Sequence, residues 1–330
     1  MQPILPRVSR SCQIGLPTVS NRLFPRLAPV PVAVAGASGL VGSRLLDLLA
    51  GHPVFRVVAR LGPPGRGLDP LAAAGEARLV FSALPAAVAK QWEPRWLEEG
   101  RWVVTTGPAG AGESPVVPEL NAAVLPPPAG PPQRVAVPNC AAHGLALALG
   151  PLRPLGLDRA VVTTLQALSG AGRRGVPALA SGDDLLPFIP GEEERLAGDA
   201  VAVLGPGLRL SVQCNRVPVE HGHTLSVAAG FARPVGREEI LASWTGLPAR
   251  PLPSAPRPPL RYREEPDRPR PRLDREALAG MQVVLGRLEP CPVLGWRFVV
   301  LVHNLIRGAA GALLLAAEEL LLNPDRIGGP

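Results

Sequence analysis

Apolar runs alternate with amphipathic stretches from Val30 onward. Pro31-Val-Ala-Val-Ala35 is strand-length and apolar, and it runs directly into a glycine turn, Gly36-Ala-Ser-Gly39-Leu-Val-Gly42. Ser43 to Leu49 follows, with Leu45, Leu46, Leu48 and Leu49 at helical spacing. Phe55–Ala59, Leu79–Ala83 and Trp102–Thr105 read as further strands and Ala86–Trp92 as a helix. Strands alternating with helices predict a parallel sheet. Prolines at 126–132 precede a strand over 134–137, and Ala141–Leu149 is an apolar helix. Ala160–Ala167, a segment starting at His223, Val283–Leu288 and Trp296–Val302 are strand-like, and 309–322 is the last helix. Residues 251–271 hold eight prolines and predict a long extended connection, neither helix nor central strand. Residues 1–29 show no periodicity and hold five prolines. They read as a disordered or dispensable extension, with an organelle transit peptide as the competing reading.

Composition narrows the class. The chain has 330 residues, enough for about two domains. A hydrophobic share of 46% and a charged share of 18% exclude a wholly disordered chain. The net charge of +7 suggests nucleic acid at first sight. Yet Arg7, Arg10, Arg22 and Arg26 lie in the acid-free stretch 1–29, so four of those charges sit in the extension. The body lacks the dense basic, aromatic-studded surface that nucleic acid requires, and Lys90 is its one lysine. Cysteines at 12, 140, 214 and 291 include no CxxC pair, so neither a metal site nor a disulfide framework is expected. A reducing, cytoplasmic setting follows as the default. The apolar run 309–322 is too short to span a bilayer and is broken by Glu318 and Glu319, so no membrane partner is expected.

Three segments carry chemistry. Gly36, Gly39 and Gly42, with Ser38, Leu40 and Val41 between them, lie between a strand and a helix. Glycines there permit a tight turn, close approach of a phosphate and close helix packing, so a dinucleotide is the expected ligand. The second strand ends on Ala59-Arg60, with Arg66 nearby, where an acid would favour NAD; a guanidinium there favours the 2′-phosphate of NADP. Cys140 follows Pro138-Asn139 and opens an apolar helix, whose amide dipoles are expected to lower the thiol pKa toward neutrality. An ordinary buried cysteine is the competing reading, and Cys12, Cys214 and Cys291 are left at it. The stretch Arg216-Val-Pro-Val-Glu-His221-Gly-His223 offers an acid/base partner in His223, placed before an apolar strand, while His221 is expected to be exposed. Arg216 can fork onto a carboxylate or pair with Glu220.

These segments together resemble the aspartate-semialdehyde dehydrogenase family, most closely its archaeal and fungal branch. The matching residues are Val34–Gly42, Phe81–Pro85, Val137–Cys140, Thr163–Gly172, Gly191–Arg195, Cys214–His223, Pro266–Arg275 and His303–Gly311, in family order. The resemblance implies a Rossmann-type NADP-binding domain over 30–139 and 303–323. It implies an α+β catalytic and dimerisation domain with a mixed sheet over 140–302. It implies Cys140 as thioester-forming nucleophile, His223 as acid/base and Gln166 as the residue orienting the acyl group. Arg216 matches the binder of the substrate carboxylate, and Glu192, Arg195 and Asn139 match positions that hold substrate and phosphate. Ser82, Asn304 and the glycine turn match cofactor positions. The implied reaction is NADPH-dependent reduction of L-aspartyl 4-phosphate by a homodimer or homotetramer acting on a small anionic substrate and phosphate. Three departures stand out: no arginine lies in Thr105–Gly112, Arg195 replaces a family lysine, and Leu305 replaces a threonine. They keep open a related acyl reductase, for example one using malonyl-CoA, and a non-catalytic paralogue serving as a binding subunit.

Overall fold

The computed structural model describes residues 29–63, 69–173, 175–179 and 181–322. The expected extension therefore lies outside the described residues except for Pro29, and so does Arg66. The fold is α/β, with one parallel and one mixed sheet.

The first sheet contains β1 (Val30–Ala35), β2 (Phe55–Leu61), β3 (Leu79–Ser82), β4 (Trp102–Thr105) and β5 (Arg134–Ala136), in the order β2-β1-β3-β4-β5. All pairings are parallel, and every residue of β3 and β4 is buried, as apolar strands covered on both faces require. Helices α1 (Leu40–Leu49), α2 (Ala86–Glu98) and short α3 (Pro118–Asn121) connect this region. Helix α1 starts three residues before its sequence-based start, because Gly39 is already the extended N-cap (φ −73°, ψ 172°). Helix α2 runs past its expected end at Trp92: Pro94 faces solvent, and Trp96 is buried with its indole N–H donating to the Leu71 carbonyl at 3.2 Å.

Helix α4 (Cys140–Leu149) leads to the second sheet. That sheet contains β6 (Leu157–Gln166), β7 (Arg209–Arg216), β8 (His223–Phe231), β9 (Leu260–Arg263), β10 (Val283–Cys291) and β11 (Gly295–Val302), in the order β7-β6-β8-β11-β10-β9. Helices α4, α5 (Glu192–Leu204) and α6 (Arg237–Thr245) share one core with it. The opposite face leaves Val161 and Leu165 exposed at 50% and 39%. The proline-rich connection is not wholly irregular. It contributes β9 at the sheet edge, where the neighbouring prolines break no central ladder, and ends at α7 (Pro271–Asp274).

The C-terminal segment returns to the first sheet as a π-helical turn (Ile306–Ala310) followed by α8 (Gly311–Leu322), packed in one core with β1, β3 and β4. Glu318 and Glu319 are fully buried. Glu318 accepts from the Ser254 hydroxyl (2.8 Å) and amide (3.2 Å) and lies 2.8 Å from His52 Nε2; Glu319 pairs with Arg250. The two acids that interrupt the apolar run thus tie the 250–254 strap to α8. Among the described residues, no helix is long and apolar enough to cross a membrane.

Candidate active site

A cleft of ≈ 1160 Å³ is lined by the glycine turn after β1, the start of α4, the ends of β6 and β7, and the turn before α8. Cys140 is the first residue of α4. Asn139 caps that helix: its Oδ1 accepts from the Ala141 and Ala142 amides at 2.9 and 3.3 Å. Its own amide donates to Asp199 (2.7 Å), and its Nδ2 donates to Glu192 (2.9 Å). The nucleophile is therefore held by its helix cap.

Cys140 Sγ lies 3.2 Å from His223 Nε2. On the far side of the ring, the Ala167 amide donates to Nδ1 at 3.0 Å. A peptide N–H can only donate, so Nδ1 is unprotonated and the neutral ring carries its hydrogen on Nε2, facing the sulfur. Burial, then Arg216 and His303, push the His223 pKa down to about 3. Burial and then Glu192 push the Cys140 thiol up to about 12, against Arg195, Arg216 and the Ala141 amide. The resting pair is thus a thiol and a neutral imidazole. This corrects the expectation of a thiolate near neutrality, because desolvation outweighs the helix amides.

Strands β6 and β7 run in parallel with Gln166 opposite Arg216, which brings two distant residues to one end of the sheet. Gln166 Nε2 donates to Glu192 at 2.8 Å, so Glu192, at the start of α5, links it to Asn139. Arg216 is buried and donates to the Ala167 carbonyl at 2.8 Å. It makes no pair with Glu220, which instead meets His221 (3.5 Å) and Arg275 (3.7 Å). A Cβ on Gly170 would come within 2.5 Å of Arg216 Nη1 and 3.2 Å of His223, so the loop after β6 can approach only as glycine. Arg195 donates to the Thr106 carbonyl at 2.7 Å and lies 3.7 Å from Asp199. His221 is half-buried, not exposed, because it stacks on His303 at 5.7 Å.

On the cofactor side, Gly36, Ser38, Gly39, Leu40 and Val41 line the cleft. Gly36 has φ +76°, and a Cβ there would sit 2.5 Å from the Ala83 carbonyl oxygen. Gly42 does not line the cleft; it lets α1 pack on the turn, where a Cβ would lie 2.2 Å from the Gly36 oxygen. Asn304 lines the cleft and is fixed by the Gly222 amide and the Ser169 hydroxyl, each at 2.9 Å. Ser82 is buried behind the lining, with no partner for its hydroxyl among the described residues. Arg60 is exposed at the end of β2, outside the lining, and its amide donates to Asp69 at 3.3 Å. Segment 105–112 is held from behind: Arg134 pairs with Glu93 (2.7 Å) and Glu113 and donates to the Pro108 carbonyl (2.8 Å). Arg173, Ser169, Gly170 and Gly308 belong to this site without having been assigned roles from sequence.

A glycine-turn dinucleotide fold that opens on a thiol–imidazole pair among guanidinium groups is the build of a thiol-dependent acyl or aldehyde oxidoreductase. Comparison with known proteins agrees. The model of the semialdehyde dehydrogenase dimerisation domain matches residues 149–307. Aspartate-semialdehyde dehydrogenase of Archaeoglobus fulgidus is 36% identical, covering 88% of this chain and 97% of the relative. The Saccharomyces cerevisiae enzyme is 33% identical, covering 87% and 96%. The structure of the Candida albicans enzyme with NADP superposes with a TM-score of 0.75 at 30% identity, covering 89% of this chain and 98% of that one. The chain belongs to the aspartate-semialdehyde dehydrogenase family.

Proposed function

We propose that this protein catalyses the NADPH-dependent reduction of L-aspartyl 4-phosphate to L-aspartate 4-semialdehyde through a thioester on Cys140, a step toward lysine, threonine and methionine. The observation that carries the reading is the Sγ–Nε2 contact of 3.2 Å at the head of α4, inside the cleft that also holds the glycine turn. The residues present fit a dinucleotide: Gly36, Ser38 and Gly39 line the cleft and lead into α1, whose first turn has no side-chain cap and no acid, so its free amides suit a phosphate. Those residues and Asn304 would hold it, and Arg60 stands at the strand end suited to the 2′-phosphate.

Arg216 receives the substrate α-carboxylate, Gln166 orients the acyl group, Glu192 and Asn139 hold the substrate, and Arg195 faces the phosphate. Attack by Cys140 forms the S–C bond and breaks the S–H bond and the C–O bond to phosphate. The thiol proton leaves on the departing group as hydrogen phosphate, because the Nε2–H tautomer of His223 has no lone pair facing sulfur. The acid/base role implied by the resemblance narrows accordingly to hydrogen-bond donation. When bound, NADPH supplies hydride to the thioester carbonyl. His223 Nε2–H then supports the sulfur as it leaves the aldehyde carrying negative charge, before water restores the thiol.

Residues 30–139 with 303–323 form the cofactor domain and 140–302 the catalytic domain. The open sheet face bearing Val161 and Leu165 suits self-association as a homodimer or homotetramer. We place the protein in the cytoplasm, with no role for nucleic acid or membrane. The test is phosphate-dependent oxidation of aspartate semialdehyde with NADP⁺ and NAD⁺ in parallel, beside reduction of malonyl-CoA. Turnover with NADP⁺ that is lost in Cys140→Ala is expected. Preference for malonyl-CoA, or turnover equal to that of the Cys140→Ala control, overturns the reading.

A further inference from the structure

The loop after β6 reaches both halves of the cleft. Gly170 touches Arg216 and His223, Gly172 turns the chain at φ +80°, and Arg173 then crosses to the glycine turn. Arg173 Nε donates to the Ser38 carbonyl at 2.7 Å. Arg173 lines the cleft and is exposed to it. Its two amino groups have no hydrogen-bond partner, and no carboxylate pairs with it, among the described residues. Arg195 and Arg216 also line the cleft, but they stand at its Cys140 end, where Arg195 donates to the Thr106 carbonyl and Arg216 to the Ala167 carbonyl, whereas Arg173 is bonded to the glycine turn. Directly beside Ser38, α1 begins with no side-chain cap and no acid in its first turn. An uncapped helix start next to an uncompensated guanidinium is a site for a multiply charged anion.

We propose that Arg173 is a pyrophosphate contact, delivered from the catalytic half of the molecule onto the dinucleotide held by the glycine turn. The proposal rests on the NADP reading given above. The Ser38 contact anchors Nε and pre-orients the planar fork, leaving both amino groups for phosphate oxygens. Ligand binding at the turn is thereby coupled to the loop that packs on Arg216 and His223.

Isothermal titration of three ligands tests this: NADP⁺, 2′-phosphoadenosine diphosphoribose, which keeps the pyrophosphate, and adenosine 2′-monophosphate, which lacks it. Arg173→Ala is expected to weaken the first two by about tenfold or more and to leave the third unchanged. Arg173→Lys keeps the charge without the fork and should fall between. Raising the salt concentration should narrow the gap between wild type and Arg173→Ala. If wild type binds NADP⁺ and Arg173→Ala binds it equally well, the proposal fails while the cofactor reading stands. Equal weakening of all three ligands also overturns it, since that marks a merely structural loop. Wild type that binds none of them overturns the cofactor reading and the proposal with it.

Discussion

Gly308 offers a direct mechanical test of the nucleophile's seat. A Cβ at this position would lie 2.7 Å from the Cys140 Cβ and 3.0 Å from its Cα and carbonyl oxygen. Carbon atoms pack at about 3.5 Å or more, so the two segments must separate by about 0.8 Å. The π-helical turn has little freedom to yield, because Arg307 within it pairs with Glu119 at 2.7 Å and both side chains are fully buried. The displacement therefore falls on Cys140 and its contact with His223. A misplacement of about 1 Å at reacting groups can cost about 100-fold, or about 2.7 kcal/mol of barrier. Gly308→Ala should lower kcat/KM for phosphate-dependent oxidation by that order while NADP⁺ affinity, read by titration, stays at the wild-type level. Gly144→Ala is the comparison on the same helix: its Cβ would strike Val302 at 2.7 Å, costing about 1–3 kcal/mol of stability with a smaller effect on rate. Near-wild-type activity in Gly308→Ala would refute the claim that this turn seats the nucleophile.

The free enzyme's thiol, held up to about 12, stays protonated through neutral pH. Its alkylation by iodoacetamide should therefore rise about tenfold per pH unit from pH 7 to 10; a plateau below pH 8 would mean a preformed thiolate. Asn139→Ala removes the cap of α4 and should cost about 1 kcal/mol in urea denaturation, together with a lower kcat from release of Glu192. Unchanged stability would show that the cap is replaced by water. Arg307→Met leaves Glu119 buried without its charge partner and should cost about 3–5 kcal/mol, with Arg307→Met/Glu119→Leu recovering much of it. A loss below about 1 kcal/mol in the single variant would contradict the buried pairing.

The residues legible from sequence are those whose local setting announces them. Cys140 reads from sequence as the residue that opens an apolar helix, and it is the first residue of α4; that Asn139 caps this helix emerges only from the structure. Gly36 sits where a strand turns into a helix, and its positive φ and contact with Ala83 show why no side chain fits. What pattern could not supply is register and burial. Only the parallel pairing of β6 with β7 sets Gln166 beside Arg216. Only the desolvation of the thiol at the head of α4, with Glu192 beside it, reverses the expected effect of the helix amides on Cys140. Arg173 was one arginine among many until its bond to Ser38 set it apart. Strand β9 is obscured in the sequence by the prolines that flank it, which an edge position accommodates. Helix α5 places Glu192 between Asn139 and Gln166, a linkage that no local spacing records.

The central claim is a covalent thioester on Cys140, and a phosphate-free burst measures it most directly. Enzyme mixed rapidly with aspartate semialdehyde and NADP⁺ in a phosphate-free buffer should release NADPH up to one equivalent per site and then slow sharply. Peptide mass analysis of the quenched enzyme should place the aspartyl adduct on Cys140, and added phosphate should restore turnover. Full turnover without phosphate, or an adduct on any other residue, would contradict the account.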